Sequence, residues 1–301
     1  MDVQPMTSSD AREAAMARFE AMLRLRVIDE RLAALGEATT IGFLPRALGR
    51  EAATVGLVAA LREGDWVFPA ITDWPIAIAR GMRLDTFVHR VFGDAADPLR
   101  GHDAPSGLSA KGLKIASASA PAATHLPHAV GTAWAARQRG EDLVTVALFD
   151  AHEVDAADFH TALNFAGVMK APTIFVCRVR PGHPGAAEHA VAYGLAEASC
   201  DGTSVDAVAE AIAAAHERAM RGEGATVLDV ELGDDDDAIG RAVDALGAER
   251  AGTIRANVEN ALASALAAAE RTGAPVVASL FADVYGELED HLAAQLAEAR
   301  G

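Results

Sequence analysis

Cysteine and basic residues are scarce in this sequence of 301 residues, and each shortage excludes a class of protein. Only Cys177 and Cys200 are present, which is too few for a disulfide framework and too isolated for a zinc motif, so we expect a reducing cytoplasm. Lysine and arginine together number 26 against 43 acidic residues, giving a formal net charge of −17. Nucleic acid and anionic membranes attract basic surfaces, so neither is an expected partner.

Long apolar runs are absent as well. No stretch of 18 apolar residues occurs, which predicts no membrane-spanning helix. The first ten residues, MDVQPMTSSD, lack the basic and apolar regions of a signal peptide. With 51% hydrophobic residues the chain can bury a large core, and its length permits one large domain or two small ones. We therefore predict a cytoplasmic globular protein.

Apolar periodicity predicts helices and strands that alternate in the middle of the chain. Such alternation is typical of an α/β fold, a parallel sheet with helices on both faces. We predict a single domain over 1–301, with N-terminal helices in 1–63, an α/β core in 64–235 and a helical tail in 236–301. The predicted strands are 143–149, 173–178 and 226–232, and 66–68 is predicted to be a short buried strand or a turn. The predicted helices are 9–36, 50–62, 75–80, 84–92, 127–139, 158–169, 186–194, 204–221, 247–270 and 286–300.

The segment 149–180 carries the most informative pattern. It opens with FDAH at 149–152 and closes with Val179 and Arg180. It resembles the thiamine diphosphate fingerprint of the alpha subunits of 2-oxo acid dehydrogenases, which opens Phe-Gly-Asp-Gly and closes Asn-Asn. Further motifs of that family are matched along the chain from about residue 12 to 301. They are LGREA at 48–52, DWVFP at 65–69, APAAT at 120–124, GEG at 222–224 and FADVY at 281–285.

This resemblance implies a thiamine diphosphate-binding fold with helical N- and C-terminal extensions. It also implies a heterotetramer with a beta subunit, with the cofactor at the interface between the two. The APAAT loop favours the branched-chain type over the pyruvate type. The implied cofactor-binding positions are Ile71 and Thr72 after the DWVFP motif, Ala120 and Ala122 in the cleft loop, then Asp150, Ala151, His152, Arg180 and Gly182.

The residues at these positions differ from the family pattern wherever chemistry is required. Mg²⁺ requires oxygen ligands, but Ala151 and Arg180 stand where the family has its Asp and Asn ligands. A guanidinium group about 4 Å from Mg²⁺ is repelled by roughly 8 kcal/mol at an effective dielectric constant of 20. Asp150 places a negative charge where a glycine faces the diphosphate, and the segment 233–236 lacks the family's histidine. We interpret the chain as a degenerate member with no catalytic residue and no metal site.

We consider three functions, of which the first follows from this interpretation and the other two are alternatives to it. The first is a non-catalytic structural or regulatory subunit that assembles with a beta-subunit-like protein or with itself. The second is an active enzyme for oxidative decarboxylation of a 2-oxo acid, in which Arg178 or Arg180 holds the diphosphate and a beta subunit contributes most of the catalysis. The third is a binding module for another anionic small molecule. Thiamine diphosphate and Mg²⁺ are expected only if the interpretation of the site is wrong.

Several groups of residues allow both a functional and a structural interpretation. Arg178 and Arg180 are either an anion site or, as we favour, part of salt bridges with Asp150 or Glu153. We expect His125 and His128 to cap a helix rather than line the cleft. The run 234–237 is expected to be a solvated turn rather than a calcium loop, and both cysteines are expected to be buried apolar groups. A dense group of metal-ligand residue types is expected to be a solvated helix start; its members are Asp150, His152, Glu153, Asp155, Asp158 and His160.

Overall fold

Five short apolar segments form one sheet in this computed structural model, which describes residues 8–38, 41–282 and 285–300. The strands are β1 (Trp66–Phe68), β2 (Thr145–Asp150), β3 (Thr173–Val179), β4 (Ala196–Asp201) and β5 (Thr226–Glu231). Their order in the sheet is β1-β2-β3-β5-β4, and every neighbouring pair is parallel. The carboxyl ends of all five strands therefore lie at the same end of the sheet, where Asp150 of β2 lies opposite Arg178 of β3 in the strand register.

The described part of the chain also contains eleven α-helices and four short 3₁₀ helices. The α-helices are α1 (Ser8–Glu37), α2 (Glu51–Ala60), α3 (Pro75–Ala79), α4 (Leu84–Phe92), α5 (His125–Gln138), α6 (Ala157–Met169), α7 (Val205–Met220), α8 (Asp237–Leu246), α9 (Ala248–Thr272), α10 (Ser279–Ala282) and α11 (Asp290–Ala299). The 3₁₀ helices are Ile71–Asp73, Lys111–Leu113, Ala151–Asp155 and Ala187–Tyr193. None of these helices is long and apolar enough to traverse a bilayer.

Helices cover both faces of the sheet. Along β2, Ala147 and Phe149 face α5 and α6, while Val146 and Leu148 face α2, α3 and α7. A strand that is buried on both faces has no polar alternation, which is why β2 and β3 are continuous apolar runs. The predicted α/β fold, a parallel sheet with helices on both faces, is confirmed.

A glycine permits the close approach of α2 and α7. A Cβ atom added at Gly56 would lie 2.6 Å from the carbonyl oxygen of Val205 and 2.8 Å from Cβ of Val208. Only glycine fits such a crossing without displacing a helix. This contact positions α2 against the sheet, and with it Arg50, which directly precedes α2.

The N-terminal and C-terminal helices pack against each other and also contact α2. Helix α1 lies against α8 and α9, and α4 also contacts α9. Their shared core includes Met22, Ile28, Phe87, Ile239 and Leu246. The predicted helical extensions are therefore present.

Some predicted elements differ in the structure. Strand β4 and helix α8 were not predicted, because β4 reads AEASCD with alternating half-buried and exposed residues and α8 begins within the acidic run. The predicted helix 186–194 is a 3₁₀ helix, and the predicted helix 286–300 begins only at Asp290. The FADVY motif at 281–285 includes positions 283–284, which lie outside the described residues.

Candidate functional site

The carboxyl ends of β2 and β3 meet the 3₁₀ helix that follows β1, and this junction brings together some of the predicted positions. Thr72 lies in the 3₁₀ helix, and Asp150 is the last residue of β2. Both contact Arg178, which the sequence offered only as an alternative anion site, and Arg50, which it did not indicate. Ile71 is half-buried in the same turn.

The carboxylate of Asp150 is shared by two arginines. Its Oδ1 atom lies 3.2 Å from Nη2 of Arg50 and 3.3 Å from Nε of Arg178. Nε of Arg178 also donates to the carbonyl oxygen of Phe149, at 3.3 Å. The predicted salt bridge between Arg178 and Asp150 is confirmed, and Arg178 is buried rather than free to bind a ligand from solvent.

Asp73 provides the second carboxylate of this cluster. Its Oδ1 atom contacts Nη1 of Arg178 and lies 3.9 Å from Nη1 of Arg50, and its Oδ2 atom accepts a hydrogen bond from the backbone of Ala70 at 2.9 Å. The hydroxyl of Thr72 accepts from Nη1 of Arg50 at 2.9 Å. Two guanidinium groups and two carboxylates thus balance each other, and we call Arg50, Thr72, Asp73, Asp150 and Arg178 the arginine–aspartate cluster.

Burial sets the electrostatics of this cluster. Burial lowers the pKa of Arg178 well below its ordinary value, and the charges of Arg50 and Arg180 lower it further. The direct contacts with Asp73 and Asp150 act in the opposite direction, and because of them we treat Arg178 as protonated. A buried charge requires such partners, so the cluster depends on all four charged groups.

Arg180 lies apart from the cluster, two residues further along the chain. Its Nη1 atom donates to Oδ1 of Asp235 at 2.9 Å, and both side chains are 45% exposed. The predicted partners Asp150 and Glu153 are therefore wrong for Arg180. Gly182 follows in an exposed turn with a φ of 79°.

The acidic run 234–237 is not only a solvated turn, because it also contacts basic side chains. Besides the pair of Asp235 with Arg180, Oδ1 of Asp236 lies 2.5 Å from Nη1 of the buried Arg26. Arg26 also donates to the buried Glu51, at 2.6 Å. Burial raises the pKa of Glu51, and Arg26 partly offsets that effect. The run thus connects the carboxyl ends of the strands to helix α1.

Glu153 connects two loops at the carboxyl ends of the strands. Its Oε1 atom accepts a hydrogen bond from the backbone of Asp150 at 2.9 Å, and its Oε2 atom accepts from Ala123 at 2.6 Å. Ala151 is half-buried and His152 exposed in the same 3₁₀ helix. Across the described ranges, no three His, Cys, Asp or Glu side chains are grouped so that they could hold a metal ion.

The histidines of this region have structural contacts. Nδ1 of His160 lies 2.8 Å from the hydroxyl of Tyr193. His125 is buried under β2, and its Nε2 atom lies 2.7 Å from the carbonyl oxygen of Leu148. The prediction that His125 caps a helix is therefore wrong, because its ring bonds a strand carbonyl instead. His128 is exposed, as are Ala120 and Ala122 in the preceding loop.

The cysteines do not belong to the site. Cys177 is buried in β3 and Cys200 is half-buried in β4. Burial raises the pKa of both thiols, that of Cys200 to about 11. Neither is therefore a reactive thiolate at neutral pH.

A family model described as "Dehydrogenase E1 component" matches residues 19–179. The chain belongs to the dehydrogenase E1 component family. This match includes α2, the whole arginine–aspartate cluster and the strands β1 to β3. The predicted kinship with alpha subunits of 2-oxo acid dehydrogenases is confirmed.

The chain is similar to several proteins named "2-oxoisovalerate dehydrogenase subunit alpha". The one from Bacillus subtilis (strain 168) is 34% identical over 228 residues, which are 71% of this chain and 69% of that protein. The one from Pseudomonas aeruginosa is 28% identical and aligns with 98% of this chain and 84% of its own length. The mitochondrial subunit alpha 2 from Arabidopsis thaliana is 30% identical, and this chain spans only 47% of its length.

A solved structure titled as a thiamin diphosphate-dependent enzyme from Mycobacterium smegmatis is also similar. Its TM-score is 0.41 at 19% sequence identity, and the overlap covers 61% of this chain and 31% of that one.

The side chains at the implied ligand positions differ from those that magnesium and thiamine diphosphate require. Ala151 and Arg180 offer no oxygen ligand from their side chains to Mg²⁺. Arg50 and Arg178 are already paired with Asp73 and Asp150, so binding of a diphosphate to them would have to separate these buried ion pairs. Asp150 would also repel the incoming phosphates.

Two residues of the cluster, Arg50 and Asp73, were missed from the sequence as members of the site. Arg50 lies within the LGREA motif, where the family motif reads Gly-Gln-Glu-Ala. Asp73 lies between Thr72 and Trp74 in a mostly apolar stretch. Asp73 is a charged residue among apolar neighbours, and such a residue is buried only when it is paired. That rule could have indicated Asp73, but Arg50 is followed by Glu51 and has no such signal.

Proposed function

We propose that this chain is a non-catalytic alpha-type subunit of an alpha–beta assembly in the dehydrogenase E1 component family. The arginine–aspartate cluster carries the proposal. Its arginines and carboxylates are paired with each other beside Ala151, where the resemblance implies a magnesium ligand, so they are not available to a magnesium diphosphate. The subunit then contributes structure or regulation to its assembly, and any catalysis occurs elsewhere.

Exposed apolar side chains support an assembly. Trp134 on α5, together with Phe165 and Val168 on the neighbouring α6, is between 41% and 77% exposed. Three large apolar residues on two packed helices are typical of a surface that a partner covers. The relatives' printed name, subunit alpha, supports a beta-subunit-like protein as that partner.

Calorimetry of cofactor binding tests the proposal. The chain is purified alone and with a co-expressed beta-subunit-like protein, and thiamine diphosphate is titrated with and without Mg²⁺. A family member with Asp and Asn at the positions of Ala151 and Arg180 serves as the positive control. We expect binding by the control only, together with co-elution of the chain and its partner.

Two other outcomes would favour other functions. Mg²⁺-dependent binding, followed by turnover of a 2-oxo acid, would establish an active enzyme and overturn the proposal. Mg²⁺-independent binding that is lost in Arg180→Ala would favour a module for an anionic small molecule. Arg180 and His183 line a cavity of about 340 Å³ at the ends of β3 and β5, although Asp229 and Glu231 line it too.

A further inference from the structure

A small cavity lies beside the arginine–aspartate cluster, on the face of the sheet that α2 and α7 cover. Its volume is about 20 Å³, and Arg50, Asp73 and Arg178 form its polar part. The remaining lining residues are Thr54 and the apolar Ala53, Leu57, Ile76, Leu148, Val176, Val208 and Val230. Neither Ala151 nor Arg180 lines it, so the cavity is separate from the positions that the family resemblance assigns to the cofactor.

Two guanidinium N–H groups of the residues that line this cavity have no acceptor. Nε of Arg50 and Nη2 of Arg178 are buried and without a hydrogen-bond partner in the described ranges. The two side chains are only 9% and 3% exposed. A guanidinium group can only donate, and a buried charged donor without an acceptor is costly. The two residues that carry these donors, together with Asp73, therefore line a space that is large enough for a small acceptor.

We propose that this cavity binds a monatomic anion, a halide such as chloride, between Nε of Arg50 and Nη2 of Arg178. One water requires roughly 10–15 Å³ by the same measure, so the cavity accommodates an occupant of that order of size and excludes a phosphate or carboxylate ligand. A halide accepts hydrogen bonds from both guanidinium groups and donates none. Water would also donate two hydrogens, and only Asp73 and Thr54 of the lining have side-chain acceptors for them.

The two carboxylates of the cluster balance its two guanidinium groups, but they leave the two buried donors without an acceptor. The carboxylates of Asp73 and Asp150 already contact the arginines through other atoms, and the third cation nearby, Arg180, is paired with Asp235. Arg50 and Arg178 lie side by side in a buried environment, where like charges repel strongly. A halide between them offsets that repulsion. The inference goes beyond the proposed function and does not rest on it.

Bromide identifies the occupant directly, because it scatters X-rays anomalously. Crystals of the full chain are grown with sodium bromide in place of chloride, and an anomalous difference map is calculated. We expect a peak in the cavity, in contact with Arg50 and Arg178. A cavity that contains only water, or a bromide that is found only on the surface, would overturn the proposal.

Unfolding experiments provide the second test. The midpoint of thermal unfolding is measured in sodium chloride, sodium bromide and sodium gluconate at equal ionic strength. We expect a rise that saturates with either halide and is absent in gluconate. Equal midpoints in all three salts would contradict the site.

Variants connect this effect to the cavity. Ala53→Val adds carbon atoms to the lining while both guanidinium groups remain, and it should abolish the halide-dependent rise. Arg50→Gln removes one donor and should raise the halide concentration for half the effect about tenfold or more, as expected for one hydrogen bond to a charged group. Arg221→Gln removes a surface arginine that pairs with Glu223, and it should leave the effect unchanged.

An equal loss of the effect in Arg221→Gln would assign it to general surface screening and overturn the proposal. The bromide map requires only the wild-type chain, so the proposal stays testable even if a variant fails to fold. Cofactor calorimetry is a separate measurement, so failure of the halide site and failure of the proposed function are distinguishable.

Discussion

The guanidinium group of Arg178 contacts the carboxylate of Asp73, and this pair holds the turn after β1 against the end of β3. The two side chains are only 3% and 8% exposed. Two residues further along, Arg180 and Asp235 form a pair in which each side chain is 45% exposed. One short segment therefore offers a buried and an exposed ion pair for comparison.

We expect Asp73→Asn to lower the free energy of unfolding by about 3–5 kcal/mol, because it leaves the buried charge of Arg178 without one of its two carboxylates. Asp235→Asn should lower it by less than about 1 kcal/mol, since solvent already screens that pair. Urea denaturation of both variants measures the difference. Equal losses would mean that the burial of the Arg178 pair has no energetic consequence.

His125 should make stability depend on pH. Burial lowers its pKa below the ordinary value of 6.5, and the hydrogen bond to Leu148 offsets only part of this effect. At a pH just below 6.5, His125 binds a proton in the unfolded chain but not in the folded chain, so acid favours unfolding. We expect the free energy of unfolding to fall as the pH drops below 6.5, with a contribution from this residue of up to about 1.4 kcal/mol per pH unit.

The variant His125→Gln removes this contribution, and His291→Gln is its control, because His291 is exposed on α11 and is not among the groups that shift the pKa of His125. Urea unfolding at several pH values between about 5 and 8 should show a shallower slope for His125→Gln only. An unchanged slope in that variant would contradict the prediction.

The crossing of α2 and α7 should not tolerate a methyl group at Gly56. We expect Gly56→Ala to cost about 1–3 kcal/mol, because its Cβ atom would overlap Val205 and Val208. Gly252→Ala in α9 is the control, since nothing lies within 4 Å of an added Cβ atom there. That change should stabilise the protein by up to about 1 kcal/mol through helix propensity. Thermal unfolding measures both, and a neutral Gly56→Ala would show that the helices can separate freely.

Restoring the two metal ligands should not restore cofactor binding. We expect the double variant Ala151→Asp, Arg180→Asn to show no Mg²⁺-dependent binding of thiamine diphosphate by calorimetry. The reason is that Asp150 still carries a negative charge and Arg50 and Arg178 remain paired. Adding Asp150→Gly, which restores the family's glycine, tests the contribution of the cluster. Binding by the double variant would mean that the loss of the ligands alone accounts for the altered site.

The sheet was predictable from the sequence because β2 and β3 are apolar throughout, and only a strand buried on both faces has that pattern. Strand β4 was not predictable in this way, because it lies at the edge of the sheet, where half of its side chains face solvent. Helix α8 was missed because acidic residues at its start resemble a turn.

The positions of the site were predictable from motifs, but their contacts were not. The pattern 149–180 placed Asp150 at the end of a strand and predicted its pair with Arg178. Asp73 lies 105 residues from Arg178, and no local signal connects the two. The partner of Arg180 is likewise 55 residues away, on the acidic run. Such pairs arise from the way that strands and loops meet in three dimensions.

The two edges of the sheet differ in how they are protected from pairing with other chains. Beside β1, Val67 forms a bridge with Ile115, so a segment of the same chain covers that edge. Beyond β4 the described chain adds no further strand, but the exposed positions there include Glu197 and Asp201. Acidic side chains on an edge strand oppose the addition of a strand from another molecule. In a chain of net charge −17, this edge should resist aggregation between copies even while folding is incomplete.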